Sequence, residues 1–398
     1  MEVTIERILP GGLGLAHADG RTVMVALAAP DDRVRVSIDR VKGNVAFAQI
    51  KEIITPSPQR VEPPCQYFGR CGGCDFQQIN YQAQLEAKVE IIKDCLHRIG
   101  RIENVPDFQI TPAPNPWHYR TRAQWQYDSI RRRLGYFEAG SRHVCDVAEC
   151  AVLAPGLQQT LSELRDRTSD GSLPDYARDF RAVVGDESVS ISPLLEGDRV
   201  ANIARTIHGE TYRFNAESFF QANDDLLPQL IDAALNEASG ETAMELFSGV
   251  GLFTLPLARR FKHVVGVESD SAAVSFAQEN LASAGLTNAE IVKSDVGVWL
   301  EAIGHGELSR LSEESAAALQ GQIDFLLLDP PRTGAESRVI RGILNLKPKR
   351  ISYISCDPAT LARDLRKLIA GGYTLESILA FDMFPQTHHV ETVVHLLL

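Results

Sequence analysis

From Asn223 to the C-terminus, short apolar runs alternate with helix-like runs, and this rhythm constrains the fold more than any other feature of the sequence. The stretches "TAMELF", "HVVGVE", "AEIVKSD", "IDFLLLD" and "RISYISC" read as strands. Between and around them "DDLLPQLIDAALNEASG", "GLFTLPLARRF", "SAAVSFAQENLASAG" and "ATLARDLRKLIAGG" carry helical spacing. Near-continuous apolar strands separated by helices are what a parallel sheet covered on both faces requires. The pattern predicts an α/β, doubly wound, Rossmann-like domain over residues 216–398, closed by the strand pair "YTLESILAFDMF" and "HVETVVHLLL". The polar run 301–322 reads as a surface insertion.

Such a sheet takes its ligand at the carboxyl ends of the strands. There "MELFSGVGLFTLPLA" turns from strand to helix through Gly249 and Gly251, and Glu268 closes the next strand 19 residues after Gly249. Glycines let a ligand approach the backbone, and a carboxylate at that distance can hold two ribose hydroxyls. The third glycine of the dinucleotide fingerprint is replaced by Thr254. A nucleoside without a pyrophosphate fits that loss, S-adenosylmethionine being the usual one. Two further strands end in acids: Asp295, placed to face an adenine, and Asp329, which opens the proline-stiffened loop "DPPRTG". The plainer reading of either aspartate is a turn or cap residue.

Cys356 ends the strand after Asp329, at the same edge, with Asp357-Pro358 and a helix start immediately beyond. A buried cysteine is most often an inert small hydrophobe. At a helix N-terminus its thiolate is favoured, so a nucleophile with a lowered pKa is expected here. A methyl donor beside a nucleophilic thiol implies a target carbon that is unreactive by itself, such as pyrimidine C5. Thiolate addition at C6 activates C5, and a base must later remove the C5 proton. "FPQTHHVET" offers His388, His389 and Glu391.

The N-terminal half is built differently. Residues 1–58 alternate apolar and polar in short runs broken by Gly and Asp turns, the pattern of a small OB-like β-barrel. Four prolines between Thr55 and Cys65 make a linker, and the spacing of Leu85, Val89, Ile92 and Leu96 predicts a helix ending near Gly100. Residues 108–215 read as strand-like segments. The chain has seven cysteines and neither a leader-like apolar run nor a window that could span a bilayer, so a soluble cytoplasmic monomer is expected, with no membrane partner. In a reducing compartment, clustered cysteines ask for a metal. Cys65-x5-Cys71-x2-Cys74 suits an iron-sulfur cluster or zinc, with Cys145 or Cys150 as the fourth ligand and Cys95 left to packing.

A net charge of −12 argues against nucleic acid as a partner for the whole surface, yet residues 117–143 hold six Arg against Asp128 and Glu138, with six interleaved aromatics. Guanidinium groups and aromatic faces suit looped or single-stranded RNA. The alternative is a strand pair whose aromatics are core.

Taken together, "SCDPATLARD", "DPPRTG", "FPQTHHVE", "FFQAN" and "ELFSGVGLFTLPLA" resemble the RNA (uracil-5-)methyltransferase family over nearly the whole chain. The resemblance implies a class I methyltransferase domain in which Cys356 is the nucleophile and Glu391 the proton-abstracting base. It further implies that Gln221, Phe247, Glu268, Asp295 and Asp329 line the S-adenosylmethionine site. Residues 59–215 become a central mixed domain whose Cys65, Cys71, Cys74 and Cys150 hold a [4Fe-4S] cluster, and the barrel resembles the TRAM module. Two positions depart from the family pattern: Leu252 and Asp357 stand where Asn is frequent. Barrel plus cluster favours uridine C5 methylation in 23S rRNA, with tRNA T-loop uridine as the alternative substrate. A non-catalytic iron-sulfur RNA-binding protein and a small-molecule methyltransferase are the rivals from other classes.

Overall fold

The computed structural model describes residues 1–194, 200–309 and 311–398. At the N-terminus six short strands pair in the order Glu2–Thr4, Arg33–Lys42, Val45–Thr55, Arg21–Ala26, Gly14–Ala18, Arg7–Ile8. Their alternation turns Val23, Val25, Val34 and Val36 onto one small core with Val3 and Ile5. The barrel does not stand apart. At its Leu9–Leu13 turn Gly12 has φ +77°, and a Cβ there would lie 3.1 Å from Asp75 Oδ2 and 3.3 Å from His388 Cβ. Only glycine meets both demands, the conformation and the close approach.

The helix Tyr81–Arg98 is capped by Asn80, whose Oδ1 accepts the Ala83 N–H at 3.0 Å. It packs against the helix Pro358–Ala370 of the C-terminal half. The central sheet is antiparallel, in the order Val144–Asp146, Arg133–Phe137, Arg122–Asp128, Asp179–Val184, Val189–Ser192. Its inner face is covered by a helix, Pro155–Asp170, so the strand-like reading of 108–215 is corrected over these residues. Leu157, Leu161 and Leu164 fall on one buried helical face, and Pro155 sits in the first turn, where its missing N–H costs nothing.

The C-terminal sheet has eight strands in the order Ala289–Lys293, Phe261–Glu268, Gly240–Leu246, Phe325–Leu328, Arg350–Ser355, Glu391–Leu397, Thr374–Phe381, Ile110–Thr111. The first five are mutually parallel, and Glu391–Leu397 runs antiparallel to both of its neighbours. The strand order reverses beside Gly240–Leu246, which makes its carboxyl end the switch point where a doubly wound sheet opens a crevice. Three expectations shift in detail. The helix expected over "GLFTLPLARRF" is confined to Thr254–Ala258. The run 301–322 is no simple insertion: the helix Val296–Gly304 extends into it and a further helix occupies Glu313–Gln320. A helix unremarked in the sequence, Ser337–Leu346, buries Val339, Ile340 and Ile343. Among the described residues no helix is long and apolar enough to cross a membrane.

One ion pair joins the two halves at depth. Lys88, on the helix Tyr81–Arg98, meets Asp382, and both side chains are 0% exposed. Removing one partner from such a pair leaves a buried uncompensated charge and costs about 3–5 kcal/mol.

Candidate active site

At the switch point the strand Gly240–Leu246 runs out into Phe247-Ser248-Gly249-Val250-Gly251. Phe247, Gly249 and Gly251 have φ +65°, +56° and +90°. The left-handed turns aim backbone donors inward: Gly249 N–H donates to Glu268 Oε2 at 3.0 Å, while Phe247 and Ser248 N–H both donate to the Val267 carbonyl. Glu268 Oε1 accepts from the Ser269 and Asp270 N–H groups, so the carboxylate is fixed in direction before any ligand arrives. Ser248 Oγ is buried without a partner, as a group awaiting a polar ligand would be. Gln221 Nε2 reaches Asp329 Oδ2 at 3.4 Å and links the "FFQAN" segment to the "DPPRTG" loop. Gln221, Phe247, Glu268 and Asp329 thus gather at the carboxyl ends of neighbouring strands. Asp295 is engaged elsewhere: it caps the helix Val296–Gly304 and pairs with Arg338 at 3.2 Å.

Thr254, where the dinucleotide fingerprint has glycine, donates its hydroxyl to Glu245. Glu245 is 1% exposed, and burial pushes its pKa up to about 8. Thr254 is marked in the sequence only by the glycine it replaces, and Glu245 not at all. Acid and hydroxyl lie nine positions apart and meet only because the strand–turn–helix folds back.

The carboxyl edge gathers the reactive groups. Ser355 pairs with Thr392 as the last rung of its ladder, so Cys356 and Glu391 face each other one step beyond it. The neighbouring strand Phe325–Leu328 delivers Asp329 beside them. The thiol does not behave as its position before a helix suggested. Burial, Glu391 and Asp329 push the Cys356 pKa up to about 12, against Arg332. One donor at the N-terminus of helix Pro358–Ala370 is already taken, because Asp357 Oδ1 accepts the Thr360 N–H at 2.8 Å. Burial, with carboxylates beside the thiol, therefore outweighs the helix. Glu391 is 2% exposed, and burial with Asp329 beside it raises its pKa well above the usual carboxylate range, Arg332 opposing. Burial likewise lifts Asp329 to about 7. Arg332, unremarked within "DPPRTG", is the cation that acts on Cys356, Glu391 and His389 together.

The two histidines before Glu391 differ. Burial, then His388, lowers His389 to about 3, which leaves it a weak proton acceptor. His388 is bound by Asp75 through both its ring and its backbone N–H. The loop that carries them is clamped from outside its own domain. Asp75 and Phe76 N–H both donate to the Gln386 carbonyl at 3.1 Å, Gln84 Nε2 to Gln386 Oε1 at 2.9 Å, and Tyr119 OH to the Pro385 carbonyl at 3.0 Å.

Cys65, Cys71, Cys74 and Cys150 line one cavity of the central domain. Cys145 is instead in the core of the central sheet, 0% exposed. Among the described residues no three His, Cys, Asp or Glu side chains converge as a single ion requires. The cavity wall also carries two buried donors without partners, Arg120 Nε and Tyr136 OH. Unpaired buried donors are expensive in an apolar void. Four thiols around one space, with donors turned toward it, fit an anionic group held by sulfur.

The Arg and aromatic stretch divides between the two readings made of it. Tyr119, Trp125 and Tyr127 are core, and Arg122 turns inward to the Ser218 carbonyl at 2.6 Å. Arg131, Arg132, Arg133 and Arg142 are exposed, as is Phe137. Phe219, two residues before Gln221, is 63% exposed with the Arg122 guanidinium 5.6 Å from its ring.

Comparison with known proteins accords with this geometry. Residues 195–398 match the family described as tRNA (Uracil-5-)-methyltransferase, and residues 1–51 match the TRAM domain. The 23S rRNA (uracil(1939)-C(5))-methyltransferase RlmD of Alkalilimnicola ehrlichii is 32% identical over 98% of this chain and 95% of its own length. An uncharacterized RNA methyltransferase of Thermotoga maritima is 30% identical over 99% and 98%. Among solved structures, the tRNA (uracil-54, C5)-methyltransferase of Pyrococcus abyssi in complex with S-adenosyl-L-homocysteine superposes with TM-score 0.74, covering 100% of both chains at 23% identity. Fold, full-length relatives and domain matches agree: this chain belongs to the RNA (uracil-5-)methyltransferase family.

Proposed function

We propose that the protein methylates C5 of a uridine in 23S rRNA, taking the methyl group from S-adenosylmethionine through a covalent adduct on Cys356. The observation that carries this reading is the register that sets Cys356 opposite Glu391, with Asp329 alongside, at the carboxyl edge of a methyltransferase sheet. Gln221, Phe247, Glu268 and Asp329, at the carboxyl ends of neighbouring strands, are the residues we assign to the donor, with Asp295 beyond them at the cap of the next helix. The rRNA target is favoured by the RlmD relatives, which span almost the whole chain at 32% identity.

The thiol starts protonated at neutral pH, since burial and two carboxylates disfavour thiolate. Its proton must leave as sulfur attacks C6, and Asp329 is the neighbouring carboxylate left to accept it, to be returned to the sulfur on elimination, so that Glu391 stays free for the C5 proton. Addition makes C5 a nucleophile toward the donor methyl. Glu391 then takes the C5 proton, which its raised affinity for protons favours, and elimination frees Cys356. Arg332 steadies the negative charge that these carboxylates carry while ionised.

Cys65, Cys71, Cys74 and Cys150 are proposed to hold a [4Fe-4S] cluster, which would supply a rigid anionic anchor when bound. Four thiols spread around a cavity suit ligation of four separate irons better than the crowding on one centre that zinc demands. The chain's own residues turn that anchor toward the reaction. Asp75, directly after Cys74, grips the loop that bears Glu391.

Incubation with labelled donor and total RNA, followed by mapping of the labelled base, tests this reading. A single m5U in 23S rRNA is the expected product. Label in tRNA would overturn the rRNA assignment, and no label in any RNA would overturn the activity.

A further inference from the structure

Arg120 is a cation with no visible anion. Its Nε is buried and makes no hydrogen bond, and it lines the cavity of the four cysteines. The one carboxylate on the cavity wall, Glu149, is exposed. A guanidinium with a buried, partnerless Nε in such a place is costly unless something negative shares the cavity.

The backbone gives the side chain no freedom to leave. Arg120 N–H donates to the Val152 carbonyl at 2.8 Å, and its own carbonyl accepts the Ala154 N–H at 2.9 Å. Bridges to Leu153 on one side and Asn223 on the other fix the same residue between the cysteine loop and the catalytic half. Tyr136, whose OH is the second buried donor without a partner, lines the same cavity as Cys150.

We propose that Arg120 is the internal counter-charge of an anionic iron-sulfur cluster and Tyr136 a hydrogen-bond donor to its sulfur beside Cys150, so that these two residues set the cluster's reduction potential and its resistance to oxygen. This inference rests on the cluster assignment made above. Four thiolates around a [4Fe-4S]2+ core leave a net charge of about −2, and charge and hydrogen bonds at the sulfurs are two of the terms that set cluster potentials. A nearby fixed cation favours the state with one more electron, so its removal moves the potential to more negative values and makes the cluster easier to oxidise. Tyr119, the preceding residue, donates to Pro385 in the loop that bears Glu391, so the segment that neutralises the cluster also touches the catalytic loop.

The test uses the full chain, purified anaerobically, as wild type, Arg120→Met, Arg120→Lys and Tyr136→Phe. Iron and acid-labile sulfide per chain, the rate of bleaching in air, and the midpoint potential from an EPR-monitored titration with dithionite as electron source are measured on each. Wild type is expected to carry the cluster. Arg120→Met should bleach severalfold faster and titrate at a more negative potential, while Arg120→Lys should recover most of both. Should Arg120→Met not fold, Tyr136→Phe, which deletes a single oxygen, carries the test with a shift of the same sign. Loaded wild type with variants that bleach and titrate identically would overturn the role of these residues alone. Wild type holding zinc, or no iron and sulfide, would overturn the cluster assignment and this inference with it.

Discussion

Asp75 holds His388 twice: the backbone N–H of His388 donates to Asp75 Oδ1 at 2.8 Å, and its ring Nδ1 meets Oδ2. Asp75 directly follows Cys74, and His388 lies three residues before Glu391. Two parts of the chain more than 300 residues apart thus share one hydrogen-bonded corner, and the cysteine loop becomes a support for the catalytic edge. Replacing Asp75 with Asn keeps one acceptor and removes the charge. Turnover should fall while affinity for S-adenosylmethionine stays within twofold, with about 1–3 kcal/mol of stability lost. Donor titration alongside single-turnover kinetics checks this, and unchanged turnover would show the corner to be mere packing.

The facing pair at the sheet edge separates nucleophile from base. Cys356→Ala should abolish both methylation and any covalent RNA complex, with donor binding retained, because the thiol contributes chemistry and no cofactor contact. Glu391→Gln should permit addition and methyl transfer but stall elimination, so that a methylated protein–RNA adduct survives denaturation. A gel with labelled donor reads both results. If His388 or His389 variants trap the adduct and Glu391→Gln turns over, the base has been misassigned.

The cysteines give a prediction about metal content. Cys150 lines the cavity and Cys145 is in the sheet core, so Cys150→Ala should lose iron and sulfide while Cys145→Ala retains them and costs only packing stability. Metal analysis of both after anaerobic purification decides it.

Glu245 predicts a pH dependence of stability. Its folded pKa of about 8 stands above the usual 4.5, so the folded protein binds this proton more tightly than the unfolded chain does. Stability from this group is present below pH 4.5 and is lost as pH rises toward 8. Glu245→Gln keeps a partner for Thr254 and cannot ionise. Its Tm should lose much of the decline between those pH values, and its unfolding free energy should exceed that of wild type at alkaline pH by on the order of a few kcal/mol. Parallel declines in both proteins would show that Glu245 is not buried as described.

The exposed turn that carries Arg131, Arg132 and Arg133 predicts salt-dependent RNA binding. Changing all three to Ala should weaken RNA affinity and reduce the slope of log K against log salt by up to about 3, with donor affinity unchanged. Binding isotherms at several salt concentrations read the slope directly. An unaltered slope would assign these arginines to solvent.

The sequence by itself determined what is local. Strand and helix periodicity marked the doubly wound sheet, because strands buried on both faces must be apolar throughout, and glycines with acids at strand ends marked its ligand edge. Short alternating runs marked the barrel in the same way, and the family motifs were readable because each lies within a few consecutive residues. Weak local signals were missed: the helix Pro155–Asp170, polar on its outer face and set among strands, and the helix Ser337–Leu346, hidden behind "DPPRTG". What only the tertiary structure decided depends on burial and on charges brought from afar. It separated Cys145 from Cys150, five residues apart, by sending one into a core and the other to a cavity. It reversed the expected shift of the Cys356 thiol, since a helix start is visible in sequence while the two carboxylates facing the thiol come from other strands. It divided the arginines of 117–143 into half-buried and exposed groups and left Arg120 Nε buried without a partner. Periodicity is a property of neighbouring residues, but the free energy of a charge is set by everything within several ångströms of it, and only the folded chain assembles that surrounding.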